Sequence, residues 1–339
     1  MRYREVGNTG LRVSQIGFGA GDNAGLMIGG TLAEQCSVLD RALQFGINYI
    51  DTAAGYGSNA SETSLGRVLR ELRVLPLLNT KVEVTTEQTA DVAAAVVASV
   101  EGSLQRVGVD HFDIVQIHNS PVFQRPEQFT GWMPMMLEEY LGPKGALAGL
   151  ARLRQAGKVR FFGLINERPN VALAKALLAT GEFSLLNVQY NLLNPSAGMP
   201  TPRGLKVDLD NGDIIGFAAA QGAGVAIFSP LARGVLTDRA AADGSRHPLA
   251  GTTILRNPEA YERSLARARA LKFLAHDGRT LGQTAIQFIL QHPGVTMALG
   301  GFTAVEQVDE MVAALDAAPL SEVDMARVAM VWRANFGEF

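Results

Sequence analysis

Four residues between positions 51 and 118 could together move a proton. Asp51 closes the run Asn48-Tyr49-Ile50, Lys81 closes Leu77-Leu78-Asn79-Thr80, and His118 closes Ile114-Val115-Gln116-Ile117. Tyr56 follows Asp51 closely, in Ala53-Ala54-Gly55-Tyr56-Gly57-Ser58. A free phenol has a pKa near 10, too high for easy exchange at neutral pH. An adjacent ammonium favours the phenolate and brings that value down. An aspartate can hold the lysine charged and in place, and a histidine can hydrogen-bond a substrate oxygen. Tyr56 would then give a proton to a carbonyl oxygen as a hydride reaches carbon, or take it back from an alcohol. Alone, each residue has a plainer reading: a turn cap for Asp51, a solvated rim charge for Lys81, a satisfied core histidine for His118, packing for Tyr56. The chemistry requires all four at one place.

The elements that would bring them there alternate in type. Strand-like runs at 15–20, 48–52, 77–82, 112–118, 159–165, 185–190, 225–230 and 296–300 are separated by segments of helical periodicity. The helical segments are 31–45, 62–72, 88–107, 145–156, 170–180, 213–221, 259–275, 281–291 and 305–315. Strict alternation of this kind implies a parallel sheet, and largely apolar strands such as Phe112-Asp113-Ile114-Val115-Gln116-Ile117 imply burial on both faces. Eight such units predict an α/β (β/α)8 TIM barrel; a doubly wound open sheet is the competing architecture. The active site of a barrel lies where strands end, so Asp51, Lys81 and His118 would converge on one rim. Tyr3-Arg4-Glu5-Val6 and Leu11-Arg12-Val13-Ser14 flank the turn Gly7-Asn8-Thr9-Gly10, which reads as an N-terminal β-hairpin plugging the barrel bottom. No linker of biased composition divides residues 1–339, so the chain reads as one barrel domain. Long loops at 119–144 and 192–208 follow strand ends, as lids and binding loops do.

Composition narrows the function classes. Of 339 residues, 47% are hydrophobic, enough for a large core. The net charge of −3 gives no electrostatic reason to expect nucleic acid or an anionic membrane as partner. The uncharged stretches at 216–232 and 281–291 are interrupted by polar residues, Gly or Pro and fall short of the ~20 apolar residues of a membrane span. The start Met1-Arg2-Tyr3-Arg4-Glu5 has no apolar run after its charges and does not read as a signal peptide. The single cysteine, Cys36, falls in line with Leu32, Leu39 and Leu43 and reads as a packed thiol, in keeping with a cytoplasmic location. The five histidines, His111, His118, His247, His276 and His292, show no metal-ligand spacing, so no metal site is expected. Gly17-Phe18-Gly19-Ala20-Gly21-Asp22 lacks the third glycine of a dinucleotide fingerprint, and no Walker lysine follows a glycine-rich loop.

The chain resembles the aldo-keto reductase superfamily. The resemblance rests on Asp51-Thr52-Ala53-Ala54-Gly55-Tyr56-Gly57, Thr80-Lys81, Gln116-Ile117-His118, Gly157-Lys158-Val159-Arg160 with Gly163, Asn187-Val188-Gln189-Tyr190-Asn191, Phe228-Ser229-Pro230-Leu231-Ala232-Arg233-Gly234, and Gly301-Phe302-Thr303 with Glu306-Gln307-Val308. These occur in family order and span residues 1 to about 315; the hairpin and the Asn-Val-Gln-Tyr-Asn stretch are similar to those of L-galactose- or aldose-type dehydrogenases. The resemblance implies an NAD(P)(H)-dependent oxidoreductase that interconverts an aldehyde or ketone, or a sugar lactone and aldose, with the reduced partner. Its catalytic tetrad would be Asp51, Tyr56, Lys81 and His118. Asn166 and Gln189 would hold the nicotinamide carboxamide and Phe228 would stack on the ring. Ser229, Leu231, Arg233 and Gly234 would lie along the pyrophosphate. Gly301, Phe302, Thr303, Gln307 and Glu310 would line the adenosine end.

Three positions depart from the family pattern: Ile165 stands for a small residue before Asn166, Thr303 for a frequent Arg or Lys, and Met311 for a frequent Asn. No basic residue lies between His292 and Arg327, whereas Glu306, Asp309 and Glu310 follow Thr303 closely. NAD(H) is therefore expected to serve at least as well as NADP(H), with Arg233 or Arg239 as the groups that could reach a 2′-phosphate. A small-molecule substrate would meet segments 22–27, 122–140 and 192–205, with Asp22, Phe123 and Trp132 as candidate contacts. A cofactor-binding regulatory barrel without turnover, like the potassium-channel β subunits that resemble this superfamily, is the alternative function, and a barrel enzyme of unrelated chemistry is a third.

Overall fold

The computed structural model describes the chain except residues 23, 130, 168–169, 244–256 and 338–339. Asn23 and Thr130, within the expected substrate segments, and His247 therefore lie outside the described residues. Eight parallel strands close into a barrel in sequential order. They are β1 (Ile16–Gly19), β2 (Tyr49–Asp51), β3 (Leu77–Val82), β4 (Phe112–Ile117), β5 (Val159–Asn166), β6 (Phe183–Gln189), β7 (Gly224–Phe228) and β8 (Met297–Gly301). The ring is completed by β8 pairing with β1, Ala298 opposite Ile16 and Gly301 opposite Gly19. The closed ring settles the architecture in favour of the barrel over the open sheet.

The helices form because their apolar residues repeat on one face and their first turns are capped. Leu32–Gln44 starts at Thr31, whose side chain accepts from the Glu34 amide while Glu34 reaches back to Thr31, a reciprocal capping box. The buried residues of that helix include Val38, Leu39 and Ala42, the stripe that faces the strands. Cys36 is half-buried and packs against the same core. The expected hairpin is present, Tyr3–Glu5 antiparallel to Arg12–Ser14. Val6, Leu11 and Val13 from it form one cluster with Tyr49, Ile114, Leu185, Ala226 and Met297 from five barrel strands. The hairpin thus closes the lower end of the barrel interior, and the polar end above it is left for chemistry.

Four α-helices among the described residues were not legible as separate elements. Leu26–Gly29 and Leu137–Leu141 lie inside loops, Asp238–Asp243 follows the β7 loop, and Glu322–Arg333 lies near the C-terminus, before a 3-10 turn at Asn335–Gly337. The last of these changes the reading of segment 192–208. Trp332 donates from Nε1 to the Leu192 carbonyl at 2.8 Å, and the Asn335 side chain accepts from the Lys206 amide at 2.9 Å. Residues 191–197 are buried beneath this C-terminal cover. The first part of this loop is clamped in this way, while residues 200, 203, 204, 206 and 208 stand exposed.

Candidate active site

The strand ends deliver the four expected residues to one place. Lys81 donates from Nζ to the Tyr56 hydroxyl at 2.9 Å and to the Thr52 carbonyl at 2.9 Å, and it forms an ion pair with Asp51. Lys81 is 1% exposed and Asp51 3%. Such a pair is tolerable only because its remaining valences are filled. The second Asp51 oxygen accepts from Asn79 Nδ2 at 2.8 Å and from Asn187 Nδ2 at 2.9 Å, and Asn79 also donates to Gln116 at 2.8 Å. Asn79, Asn187 and Gln116 were assigned no role in the sequence. Their signal was there: Asn79 stands two before Lys81, Gln116 two before His118 and Asn187 two before Gln189, and alternate strand residues share a face. They form the polar layer under the site.

His118 stands edge-on to the Tyr56 ring, centroids 5.7 Å apart, and beside Trp132, centroids 5.5 Å apart. Its Nδ1 contacts the carboxylate of Glu83, a further unanticipated residue two beyond Lys81. Loop 119–144 is held over the rim by its own bonds. Pro121–Val122 pairs with Met135–Met136, Asn119 donates to the Met133 carbonyl at 2.8 Å, and Tyr140 donates to the Asn119 carbonyl. Trp132 is brought to the site by this scaffold, whereas Phe123 stands 73% exposed. Asp22 accepts from the Gly57 amide at 3.0 Å, which ties the β1 loop to the Tyr56 loop. Burial raises the Asp22 carboxyl above its ordinary value, against the Gly57 hydrogen bond that lowers it.

The electrostatics of Tyr56 differ from the expectation that Lys81 lowers its pKa. Burial, then the charges of Asp51, Glu167, Glu83 and Asp22, push the phenol well above its ordinary value. The carboxylate charges act in the same direction as burial, each favouring the neutral phenol. Tyr56 is therefore a protonated hydroxyl at neutral pH.

A cleft of about 520 Å³ runs from Asp51 and Tyr56 to Glu310. Phe228, Ser229, Leu231, Arg233, Gly234, Gly301, Phe302, Thr303 and Gln307 line it, together with Arg239, Tyr261 and Met311. Asn166 and Gln189 end β5 and β6 on the neighbouring rim, Asn166 fully buried and Gln189 half-buried. Ser229, Ala232 and Arg233 have φ of 51°, 46° and 62°. Left-handed backbone at non-glycine residues costs roughly 1–3 kcal/mol each and clusters where a ligand is clamped. Asn191 holds this loop by donating to the Ser229 carbonyl at 3.0 Å.

Comparison with known proteins places the chain in a family. A sequence model of the Aldo/keto reductase family matches residues 15–333. L-galactose dehydrogenase of Arabidopsis thaliana is 28% identical, over 96% of this chain and 93% of its own. A probable voltage-gated potassium channel subunit beta of Oryza sativa subsp. japonica is 25% identical, over 94% and 93%. The holo form of aldo-keto reductase AKR11C1 from Bacillus halodurans superposes with a TM-score of 0.72 at 24% identity, covering 98% of this chain and 97% of its own, a likeness of fold. The family match spans the barrel from β1 to the C-terminal helix, and the chain belongs to the aldo/keto reductase family.

Proposed function

We propose that residues 1–339 act as one NAD(P)(H)-dependent oxidoreductase, interconverting an aldehyde or ketone with the corresponding alcohol, or a sugar lactone with its aldose. The observation that carries this reading is the 2.9 Å contact between Lys81 Nζ and the Tyr56 hydroxyl at the mouth of the long cleft. The residues present fit a dinucleotide. The buried Asn166 Oδ1 has no partner in the structure, an acceptor suited to a carboxamide N–H. Phe228 offers a ring face at the inner end, and the left-handed turn at 229–233 exposes backbone along the middle. When bound, the nicotinamide would supply or accept the hydride.

The chain's own groups handle the proton. Tyr56, neutral and held by Lys81, donates to the oxygen that becomes an alcohol. Asp51 fixes Lys81, and His118 offers a second hydrogen bond to the same oxygen. Trp132 and Asp22 border the substrate side, and the L-galactose dehydrogenase relative favours a hydroxylated substrate. The relative named as a channel subunit supports the regulatory alternative; the complete set of proton-handling groups supports turnover. Tyr56→Phe should fold and titrate with cofactor while turnover falls about 10²–10⁴-fold, the usual contribution of a positioned general acid. Near-full turnover in that variant would remove Tyr56 from the mechanism.

Cofactor preference follows from the outer end of the cleft. Thr303 offers no charge to a 2′-phosphate, and the Glu310 carboxylate lines the same end, accepting from Thr280 at 2.9 Å. Arg233 and Arg239 line the cleft too, which keeps NADP(H) usable. NAD(H) should give kcat/KM at least equal to that with NADP(H). A hundredfold preference for NADP(H), about 2.7 kcal/mol, would contradict this.

A further inference from the structure

We propose that Glu83 is a positioning residue that acts through His118, fixing which ring nitrogen faces the substrate. The inference rests on the reading of His118 as a substrate-oxygen partner. Glu83 follows β3, and its alternation with Asn79 and Lys81 turns it to the inner face of the rim. Its side chain is 10% exposed, and its Oε1 contacts His118 Nδ1. A carboxylate only accepts, so Nδ1 carries the hydrogen and Nε2 is the nitrogen left for the reacting oxygen.

The surroundings leave the ring little room to turn over. Trp132 covers it at 5.5 Å with an interplanar angle of 34°, and Tyr56 stands edge-on at 5.7 Å. Gly55 supports the same enclosure from the Tyr56 loop. A Cβ there would lie 2.7 Å from Glu83 Oε1 and 2.5 Å from the Trp132 ring. The loop that carries Tyr56 therefore needs a residue without a side chain where the carboxylate and the indole meet. Glutamine in place of Glu83 keeps the shape but presents both an acceptor and a donor to Nδ1, so it no longer selects one ring tautomer.

The test is a double-mutant cycle, read as kcat and KM for a neutral carbonyl substrate at saturating cofactor, with cofactor affinity from a fluorescence titration. Glu83→Gln should lower kcat about tenfold, part of the contribution a positioned proton-handling group makes, with little change in KM or cofactor affinity. Glu83→Asp, which retains the charge, should keep more activity than Glu83→Gln. In a His118→Ala background, Glu83→Gln should cost less than about twofold more, because residues that act as a unit are not additive. A second full tenfold loss in that background would overturn the proposal, as would wild-type kcat in Glu83→Gln. Should Glu83→Gln fail to fold, the cycle runs with Glu83→Ala, which also removes the carboxylate, under the same criteria. If His118→Ala keeps full activity, the proposal for Glu83 falls with it, while Tyr56→Phe and the cofactor titration still report separately on the proposed oxidoreductase function.

Discussion

The Lys81–Asp51 pair shows how one residue's chemistry depends on a neighbour's compensation. Both side chains are buried, and Asp51 has three donors: Lys81, Asn79 and Asn187. Removing only the cation in Lys81→Met strands a carboxylate in the barrel interior. That should destabilise the fold by about 3–5 kcal/mol, the cost of breaking a buried pair from one side. Lys81→Met/Asp51→Asn should recover a large part of that loss in chemical denaturation, yet remain inactive. Equal stability of the single and double variants would show that Asp51 tolerates burial without its lysine. The pH dependence has a definite sign. Because the phenol's pKa is raised, its proton donor form persists through the neutral range, so carbonyl reduction should hold its rate into alkaline pH while alcohol oxidation climbs with pH. A reduction rate that falls between about pH 6 and 8 with Tyr56 as the titrating group would contradict the raised value. At this scale the sequence was legible where a polar residue ended an apolar run. Glu83, Asn79 and Asn187 were harder to read because they sit inside or beyond runs whose overall character is apolar, and only the two-residue alternation marks them.

The elements determine which of those residues meet. Strand ends were readable because apolar runs and alternation locate them to within a residue or two, as with β3, expected and observed over the same six residues. Loop contents were not readable, because their form depends on distant partners. Trp132 reaches His118 through the pairing of Pro121–Val122 with Met135–Met136, and the start of segment 192–208 is covered by a helix whose Trp332 is remote in sequence. The Tyr56 loop offers an element-scale test. Gly55→Ala places a methyl group into Trp132 and Glu83, which must move. It should lower kcat by about tenfold or more through displacement of the catalytic loop, since misplacement by ~1 Å can cost 10²-fold, while the global unfolding midpoint shifts little. Unchanged kcat in Gly55→Ala would show that the indole and carboxylate yield freely.

At the scale of the molecule, the barrel is closed below by the hairpin and on one side by the C-terminal helix Glu322–Arg333, and the second closure carries a pH-sensitive tie. Asp324 sits in the first turn of that helix in a capping box with Ser321. It accepts from Arg279 at 2.7 Å and lies 2.9 Å from His276 Nε2, while His276 Nδ1 lies 2.8 Å from Asp277. Arg279 also holds the carbonyls of Ala318 and Pro319 at 3.1 Å each. The Asp324 hydrogen bond, then that of Asp277, raises the His276 pKa, against the opposing charge of Arg279. A group whose folded value is raised contributes stability that is complete below its unfolded pKa, about 6.5, and is lost as pH rises through the folded value. Asp324 itself is held well below the usual carboxylate range by His276, Ser321 and Arg279, so it stays charged across that window. His276→Gln keeps the size and hydrogen-bonding capacity but cannot be charged. The thermal midpoint of the native chain should exceed that of His276→Gln most at about pH 6, below the unfolded value, and the difference should shrink as pH rises through the raised folded value. Effects of the remaining carboxylates act on both proteins alike and cancel in the comparison. A difference independent of pH would mean that His276 supports the C-terminal helix by shape and neutral hydrogen bonds, with Arg279 alone as the charge that holds Asp324.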